Sequence, residues 1–404
     1  MRIIYLHQYF NTNDMPGSTR SYELAKRLVK NGHSVFMITS KRDNHQSQRN
    51  GWTKEDGIDV FWTPVSYSNK MSYLRRLFSF FSYSIKSLKV ALSIDADLIY
   101  ATSTPLTIAI PAIIYSRIKA TPMVFEVRDL WPEIPIAVGA LKSPLTKFLA
   151  LWLEKISYKN SKTIIALSNG MKDGIIKKGY PAKKINVITN LSNTRAYEDM
   201  DKAKDLGIRI NNYFPEPLDK LVIYTGAFGH VNDVKYLIKI AGVLKNINSK
   251  IKFIIAGEGV EQQNIYSISK ELGVLDSSVF IIDPLEKAKI PLLYSKASIV
   301  SSLFINLEAL WNNSANKFFD GLAAGKPIMI NYSGWQRSLI EEYNAGFYVP
   351  FDDHLKGAEI LDKIVNNNEL SKNMGHAAKK LANKHFAIDA QYPKFEKTLK
   401  SVIE

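Results

Sequence analysis

The sequence predicts two parallel α/β domains, and three observations lead to this prediction. Short apolar runs rich in β-branched residues alternate with helical patterns along almost the whole chain. The alternation restarts after Asn190, and a length of 404 residues suits two domains of ordinary size. Because strand–helix alternation is typical of parallel sheets covered by helices, we expect two such sheets facing each other across a cleft.

The predicted strands follow in order along both halves. Those of the first half are RIIYLH, SVFMIT, DVFWTP, DLIYAT, PMVFEV and KTIIALS, with a helix over 19–31 after the first strand. Those of the second half are LVIYTGAF, KFIIAGEG, SVFIID, ASIVSSL, KPIMIN and AGFYV. We expect domains over 1–190 and 191–385, with the boundary within 190–220, and a C-terminal helix over 386–404 that is able to cross back to the N-terminal domain.

Composition excludes several classes of protein. Hydrophobic residues make up 46% and charged residues 23% of the chain, an ordinary globular balance that excludes disorder and collagen-like sequence. The absence of cysteine excludes disulfides, thiolate zinc sites, iron–sulfur clusters and a cysteine nucleophile. A reducing, cytoplasmic compartment fits this composition. The N-terminus is interpreted as a first strand rather than a signal peptide, and 98–116, which contains two prolines, as strand, loop and helix rather than a membrane span.

The positive charge is distributed unequally. The formal net charge is +15, and residues 1–190 hold 27 Lys and Arg against 13 Asp and Glu. Residues 191–404 hold 26 against 25 and are nearly neutral. This asymmetry indicates an anionic partner for the first domain, whether nucleic acid, membrane or phosphorylated substrate, with a solubilising surface as the alternative.

The turn after the first strand is a candidate phosphate site. Met15, Pro16 and Gly17 form a tight loop, Ser18 or Thr19 can cap the next helix, and Glu23 is spaced to complete a capping box. Gly17 would let the backbone approach a phosphate, although one glycine at such a position is often only a turn. The sequence contains neither GxGxxG nor GxxxxGK[ST], which disfavours an oxidoreductase and a nucleotide hydrolase.

Seven segments, taken together, resemble the retaining glycosyltransferase family with the GT-B fold, in which two Rossmann-like domains face each other. In the first half they are LHQYF...MPGSTRSYELAKRL, EVRDLWPE and TIIALSNGMKDGIIKKGYPAKKINVITN. In the second half they are YTGAFGHVNDV, FIIAGEGVE, VFIIDPLEKAKIPLLYSKASI and NSANKFFDGLAAGKPIMI. Within the family the chain looks like the bacterial surface-polysaccharide subgroup described as N-acetyl-L-fucosamine transferases.

The resemblance implies a donor site in the second domain. Asn316 and Lys317 would begin a helix whose N–H groups, together with one ammonium, meet a pyrophosphate, and Asp320 would accept hydrogen bonds from the ribose. An ordinary capped helix is the alternative for the isolated segment.

The sequence departs from the family pattern at this site. Asn312 and Asp320 stand where the family usually has two glutamates, and Ala227 and Asn232 stand where many members have an arginine and a lysine on the diphosphate. Lys317 is therefore the first candidate for the cation that meets the diphosphate, followed by the side chains of His230 and Arg20. The backbone N–H groups around Gly226 and Gly229 are candidate neutral donors.

The segment EVRDLWPE supplies the predicted catalytic residues. The predicted strand PMVFEV ends in three ionisable residues within four positions, and charges at the carboxyl end of a strand belong in the cleft. We expect Arg128 to contact the donor or an acceptor phosphate, and Asp129 to orient Arg128 or to act as the acceptor-side base. His7, at the end of the first strand, is expected in the same cleft. The alternative is a structural salt bridge that anchors the Trp131-Pro132 loop.

The resemblance also implies the reaction. It would be retaining transfer of a sugar, such as N-acetyl-L-fucosamine, from a UDP-sugar to a polyprenyl-diphosphate-linked glycan in capsule or lipopolysaccharide synthesis. The resemblance implies no cofactor and no metal, and the absence of a D-x-D motif at the end of a donor-domain strand fits the metal independence usual in the family. One alternative is a UDP-sugar 2-epimerase or hydrolase of the same fold. An alternative of a different class is a nucleic-acid-binding protein, which is disfavoured because the sequence lacks the motifs of known nucleic-acid-binding domains.

Residues 70–92 predict contact with an anionic membrane. Apolar residues recur at helical spacing among cations, so the segment resembles an interfacial helix, although the stripe can equally pack on the sheet. Its apolar positions are Leu74, Leu77, Phe78, Phe81, Ile85 and Leu88. A second basic stretch, 142–162, is expected to face the core. We expect a cytoplasmic protein on the inner face of the membrane, and the oligomeric state is left open.

Overall fold

The structure is a computed structural model that describes residues 1–42, 50–67, 71, 73–198, 220–247 and 249–404. The predicted linker falls largely on 199–219, which lies outside the described residues. The predicted domain boundaries therefore stay predictions.

An eight-stranded sheet organises the first part of the chain. Its strands are β1 Arg2–Leu6, β2 Ser34–Arg42, β3 Gly51–Glu55, β4 Ile58–Tyr67, β5 Leu98–Thr102, β6 Met123–Val127, β7 Thr163–Ala166 and β8 Ile185–Val187. Their order is β3-β4-β2-β1-β5-β6-β7-β8, with β3 antiparallel to β4 and the other neighbours parallel. The strands β5 and β6 are buried throughout, as expected where helices cover both faces of a parallel sheet.

Helices cover both faces of this sheet. They are α1 Arg20–Lys30, α2 Tyr73–Leu92, α3 Ala109–Ile118, α4 Glu133–Ala137, α5 Pro144–Asn160 and α6 Asn169–Lys177. Tyr83 of α2, Ala112 of α3 and Tyr158 of α5 share one core with the sheet, while α1 packs on the opposite face.

A six-stranded sheet organises the second part. Its strands are β9 Leu221–Thr225, β10 Lys252–Ala256, β11 Val279–Ile282, β12 Ile299–Ser302, β13 Ile328–Ile330 and β14 Gly346–Tyr348. They pair in parallel in the order β11-β10-β9-β12-β13-β14. Its helices are α7 Val234–Asn246, α8 Gln262–Glu271, α9 Ile290–Ser295, α10 Asn316–Ala323, α11 Trp335–Glu342, α12 His354–Asn366 and α13 Asn368–Leu381. The predicted pair of parallel α/β domains is confirmed.

The last helix, α14 Ile388–Ile403, returns to the first sheet. It follows a π-helical turn, Ala382–Phe386, and buries Phe395 and Leu399 in the same core as Tyr5 of β1. The ring centroids of Phe395 and Tyr100 lie 5.4 Å apart. The chain therefore connects its two parts twice, once through the segment after β8 and once through this helix.

Two amphipathic stretches differ from the expectations. In α5 the side chain of Trp152 is exposed, so the prediction that 142–162 faces the core is wrong for this face of the helix. In α2 the predicted stripe divides, since Phe78, Phe81 and Ile85 face solvent while Leu88 packs on the core. The inner face of α2 consists of Phe80, Tyr83, Ser84, Ser87 and Ala91. Lys70 and the side chain of Leu74 lie outside the described residues.

The run 98–116 forms β5, a short 3-10 turn and most of α3, as the sequence predicts. Within the described residues, no helix has both the length and the apolar character needed to cross a bilayer.

Candidate active site

A cavity of about 500 Å³ lies where the carboxyl ends of the two sheets face each other. The first domain contributes His7 after β1, Gly17 before α1, and Arg128 and Asp129 after β6. The second contributes residues that follow β9 and begin α10, namely Gly226, Asn316, Lys317 and Asp320. Eight of the predicted site residues are thus brought to one cavity, from positions as distant as 7 and 320.

Arg128 is held by hydrogen-bond partners on the wall of the first domain. Its Nη1 lies 3.1 Å from His7 Nε2, and its Nη2 donates to Ser18 Oγ over 3.2 Å. Its backbone N–H donates to Ser103 Oγ over 2.9 Å, which orients the turn after β6. The guanidinium therefore reaches the cavity without an ion-pair partner among the described residues.

Asp129 has a different partner from the expected one. Its Oδ2 accepts from Thr104 Oγ1 over 3.2 Å, while Arg128 bonds to His7 and Ser18. Among the described residues no hydrogen bond or ion pair joins Asp129 to Arg128, and the roles expected for Asp129 stay predictions. Burial raises the pKa of Asp129, and the nearby charge of Arg128 opposes this rise.

Lys317 projects from the first turn of α10 into the wall of the second domain. Its Nζ donates to Tyr224 Oη over 2.9 Å and to Asn232 Oδ1 over 3.4 Å, and it lies 4.3 Å from the centroid of the Tyr224 ring. No carboxylate of the described residues forms an ion pair with it, and desolvation lowers its pKa to about 7. A cation in such surroundings is poised for an anionic ligand.

The backbone of Gly226 allows this placement of the lysine. Gly226 has φ +145°, and a Cβ there would lie 3.2 Å from Lys317 Cε. A side chain at this position would therefore strain the backbone and crowd the lysine.

Asp320, one turn further along α10, is already paired. Lys287, from the loop after β11, forms an ion pair with Asp320 Oδ2, and Ser192 Oγ donates to Oδ1 over 3.1 Å. Lys287 also lines the cavity. Lys287 is not among the residues predicted from the sequence, although it follows the carboxyl end of a strand, as the residues after β6 do.

Direct bonds join the two walls. Asn316 Oδ1 accepts from Ser18 Oγ over 3.0 Å and from Asn190 Nδ2 over 2.5 Å. The N–H of Lys287 donates to the carbonyl of Met15 over 3.0 Å, beside Gly17.

Gly17 has φ +121°, and a Cβ there would lie 2.7 Å from Asn11 Nδ2. Glycine at this position therefore permits the turn that brings the first loop against the second domain. Thr19 occupies the N-cap position of α1, but its side chain accepts no hydrogen bond from the helix. The expected capping box is therefore absent from this turn.

Arg20 is buried beneath α1 instead of lining the cavity. Its Nη2 pairs with Glu126 Oε1 over 2.8 Å, and its Nη1 donates to the carbonyl of Thr189 over 2.6 Å. Both side chains of the ion pair are fully buried. The prediction that Arg20 binds the donor is therefore wrong, because its charge and its donors are used within the protein.

Three further predicted donor residues lie outside the cavity wall. The side chain of His230 is 73% exposed and pairs with Glu261, and Gly229 precedes it in the same loop. Asn312 packs its side chain on Gly170, where a Cβ would lie 1.9 Å from its Oδ1. Its carbonyl accepts from Ser168 Oγ over 2.7 Å. Asn312 thus connects the domains, and the cavity wall begins at the next residue, Asn313.

The described residues contain no group of three or more His, Asp or Glu side chains placed to hold a metal ion.

Three curated relatives align with the chain. Alpha-D-kanosaminyltransferase of Streptomyces kanamyceticus is 20% identical over 276 residues, which are 68% of this chain and 69% of the relative. The GalNAc-alpha-(1->4)-GalNAc-alpha-(1->3)-diNAcBac-PP-undecaprenol alpha-1,4-N-acetyl-D-galactosaminyltransferase of Campylobacter jejuni is 28% identical over 162 residues, 40% of this chain and 43% of the relative. The putative glycosyltransferase EpsD of Bacillus subtilis is 21% identical, over 61% of each chain. The alignments thus span less than two thirds of the last two relatives.

Solved structures share the fold. Anabaena HepE in complex with UDP and glucose superposes with a TM-score of 0.72 at 18% identity, covering 99% of this chain and 100% of HepE. Sucrose-phosphate synthase from Thermosynechococcus elongatus gives a TM-score of 0.78 at 14% identity, covering 99% and 98%. The predicted GT-B arrangement of two facing domains is confirmed.

Family models match both domains. The model described as Glycosyl transferase 4-like domain matches residues 17–190, and the model described as Glycosyl transferases group 1 matches residues 211–381. The second match contains Lys317 and Asp320, and the first contains Arg128 and Asp129. Since the two matches contain residues of both walls of the cavity and the relatives are named as glycosyltransferases, the chain is a glycosyltransferase whose second domain belongs to the glycosyl transferases group 1 family.

Proposed function

We propose that this glycosyltransferase moves a sugar from a UDP-sugar to a lipid-linked glycan acceptor. The observation that carries the proposal is Lys317, a cation in the cavity wall that lacks a carboxylate partner among the described residues. The bound UDP in Anabaena HepE and the undecaprenol-linked substrate named for the Campylobacter jejuni relative support the two substrate classes.

In this proposal the second domain holds the donor. Lys317 and the N-terminus of α10 meet the diphosphate, and the N-cap residue Ala315 supplies no competing side-chain cap. Lys317 takes the place of the cations that many family members have where this chain has Ala227 and Asn232. Asp320 accepts from the ribose hydroxyls, with Lys287 holding the carboxylate in position.

The first domain presents the acceptor. Arg128 and His7 face the cavity as a hydrogen-bonded pair, so they can orient an acceptor phosphate or hydroxyl beside the donor sugar. The proposed reaction retains configuration, and the departing β-phosphate takes the acceptor proton while Lys317 and α10 stabilise its charge. This route requires neither a pair of catalytic carboxylates nor a metal ion. Loss of activity with a chelator and recovery with magnesium or manganese would contradict the metal-independent part.

We propose more specifically that the donor carries an N-acetyl-deoxyhexosamine, as UDP-N-acetyl-L-fucosamine does. The proposed acceptor is a polyprenyl-diphosphate-linked glycan of capsule or lipopolysaccharide synthesis. The enzyme would work at the inner face of the cytoplasmic membrane, with residues 70–92 in contact with anionic lipid. The resemblance of the sequence segments supports the sugar class, and exposed Phe78 and Phe81 support the membrane contact.

A nucleotide-sugar screen tests the proposal. We expect UDP and UDP-sugars to raise the thermal midpoint more than GDP- or dTDP-sugars do, and Asp320→Asn to weaken the shift. Lys289→Ala is the control, because this lysine, whose side chain is 43% exposed, lies two residues from Lys287 and outside the cavity wall. A protein that UDP does not stabilise, or that consumes the UDP-sugar equally fast without any acceptor, would contradict the proposal.

A further inference from the structure

Three neighbouring helices of the first domain expose a broad apolar surface. The side chains of Phe78 on α2 and Phe148 on α5 are 76% and 64% exposed, and that of Trp152 is 54% exposed. Leu149 extends the stripe on α5, and Ile118 is exposed on α3. We refer to the outward sides of α2, α3 and α5 as the three-helix face.

The stripes of α2 and α5 form one surface because α3 packs against both helices. Ser84 Oγ of α2 donates to the carbonyl of Thr107, in the turn that leads into α3, over 3.2 Å. At the other end Arg117 Nη2 of α3 donates to Asn160 Oδ1 of α5 over 2.9 Å. Exposed Ile114 and Ile118 therefore lie between the aromatic residues of the two outer helices.

The charges on this surface have one sign. Arg75 and Lys89 are exposed on α2, and Lys155 and Lys159 are exposed on α5. Among the described residues of the three helices the one acid is Glu154, whose side chain is 2% exposed and faces inward to Tyr158 and Lys178. The combination of exposed aromatic residues and flanking cations suits an anionic interface. Two copies of the same cationic face would repel each other, which disfavours self-association through it.

The three-helix face is also placed next to the cavity. In a parallel α/β sheet each helix runs antiparallel to the strands, so its N-terminal end lies at the strands' carboxyl ends. The exposed residues nearest those ends, Phe78 on α2 and Leu145 and Phe148 on α5, are therefore on the side of the molecule that contains His7 and Arg128. An occupant of the face would lie beside the proposed acceptor site.

We infer that the three-helix face, in which α3 lies between α2 and α5, lies on an anionic lipid bilayer. Leu145, Phe148, Leu149 and Trp152 enter the interface, while the flanking lysines and arginines meet the headgroups. This inference rests on the proposed function for the identity of the acceptor, but the surface itself can be tested without any turnover.

Vesicle cosedimentation at low salt provides the test. We expect the full chain to bind vesicles of mixed phosphatidylglycerol and phosphatidylcholine and to be released by salt, and Phe148→Ser/Trp152→Ser to weaken the binding about tenfold or more. Leu355→Ser is the matched control, because Leu355 is 61% exposed on α12, outside the face, and its loss should change nothing. Both substituted residues are exposed, so thermal midpoints should match that of the wild type.

The outcomes separate the face from the proposed reaction. Failure of the full chain to bind the vesicles, or equal binding by wild type and double variant, overturns the inference. So does a dimer of the wild type that the double variant loses, since a second copy would then cover the face. If vesicle binding depends on Phe148 and Trp152 but no UDP-sugar is turned over, the face stands and the proposed function fails. If the protein turns over a UDP-sugar with a water-soluble acceptor but does not bind vesicles, the glycosyl transfer stands and the proposed membrane face fails.

Discussion

Two cations near the cleft, Arg20 in the first domain and Lys317 in the second, have opposite surroundings. Arg20 is fully buried against the carboxylate of Glu126 and two backbone carbonyls, whereas Lys317 meets a phenol and an amide at the edge of the cavity. A buried charge requires a counter-charge, so Arg20 is satisfied within the protein and Lys317 is not. The comparison indicates that the presence of a carboxylate partner, more than proximity to the cleft, decides whether a cation is used within the protein or is left for the proposed ligand.

The largest expected effect is on the paired cation. Arg20→Met leaves Glu126 buried without its partner, so we expect the free energy of unfolding to fall by about 3–5 kcal/mol. Urea denaturation measures the change, and Arg20→Met/Glu126→Gln should recover part of the loss. If Arg20→Met folds with wild-type stability and loses UDP binding, the conclusion that Arg20 is a structural cation is contradicted.

The unpaired cation should behave in the opposite way. Lys317→Met removes a desolvated amine that lacks a counter-charge, so we expect stability to stay the same or rise slightly. A charge-assisted hydrogen bond to phosphate is lost, which corresponds to about 1.5–3 kcal/mol, or roughly 10–100-fold weaker UDP binding. Calorimetric titration with UDP measures the affinity, and Lys317→Arg should retain more of it. Undiminished affinity in Lys317→Met would remove Lys317 from the donor site.

The pH dependence of UDP binding sharpens the contrast between the two cations. Because desolvation lowers the pKa of Lys317 to about 7, UDP must draw a proton onto the amine near and above neutral pH. We expect proton uptake in calorimetric titrations, detected as a dependence of the heat on the buffer's ionisation enthalpy, and an affinity that falls as pH rises above about 7. Lys317→Met should show a smaller proton uptake between pH 7 and 9, and equal uptake would contradict the assignment.

The same depressed pKa has a consequence for stability. The unfolded chain binds more protons at Lys317 than the folded chain does above pH 7, so this group makes folding more favourable as pH rises from about 7 towards the ordinary lysine pKa. Urea denaturation of wild type and Lys317→Met across this range measures that contribution as the difference between the two slopes.

The smallest effect is expected at the phenol beside Lys317. Tyr224→Phe removes the oxygen that accepts from Nζ over 2.9 Å, so the amine loses part of its orientation. We expect UDP affinity to fall only about three- to tenfold, because the amine stays in place and loses one of its two hydrogen bonds. If Tyr224 acts only through Lys317, Tyr224→Phe/Lys317→Met should bind UDP as Lys317→Met does. An additive loss would show that Tyr224 contacts the ligand directly.

Much of the candidate site could be predicted because it follows the ends of strands. His7, Arg128, Asp129 and Gly226 come directly after buried apolar runs, and the carboxyl ends of parallel strands meet at one edge of a sheet. Lys287 follows the same rule at a greater distance from its strand. Arg20 was misassigned because an arginine after a glycine-containing turn has the same local pattern whether it faces a ligand or a buried acid.

The sequence by itself determined the two parallel sheets, since runs of β-branched residues and the helices between them carry their own periodicity. It also determined the family, through motifs in order. Tertiary structure alone decided which cation is paired, because Glu126 is 106 positions from Arg20. It likewise decided which side of α5 meets solvent: apolar residues occur on both sides of that helix, and only its packing on the sheet selects the buried one.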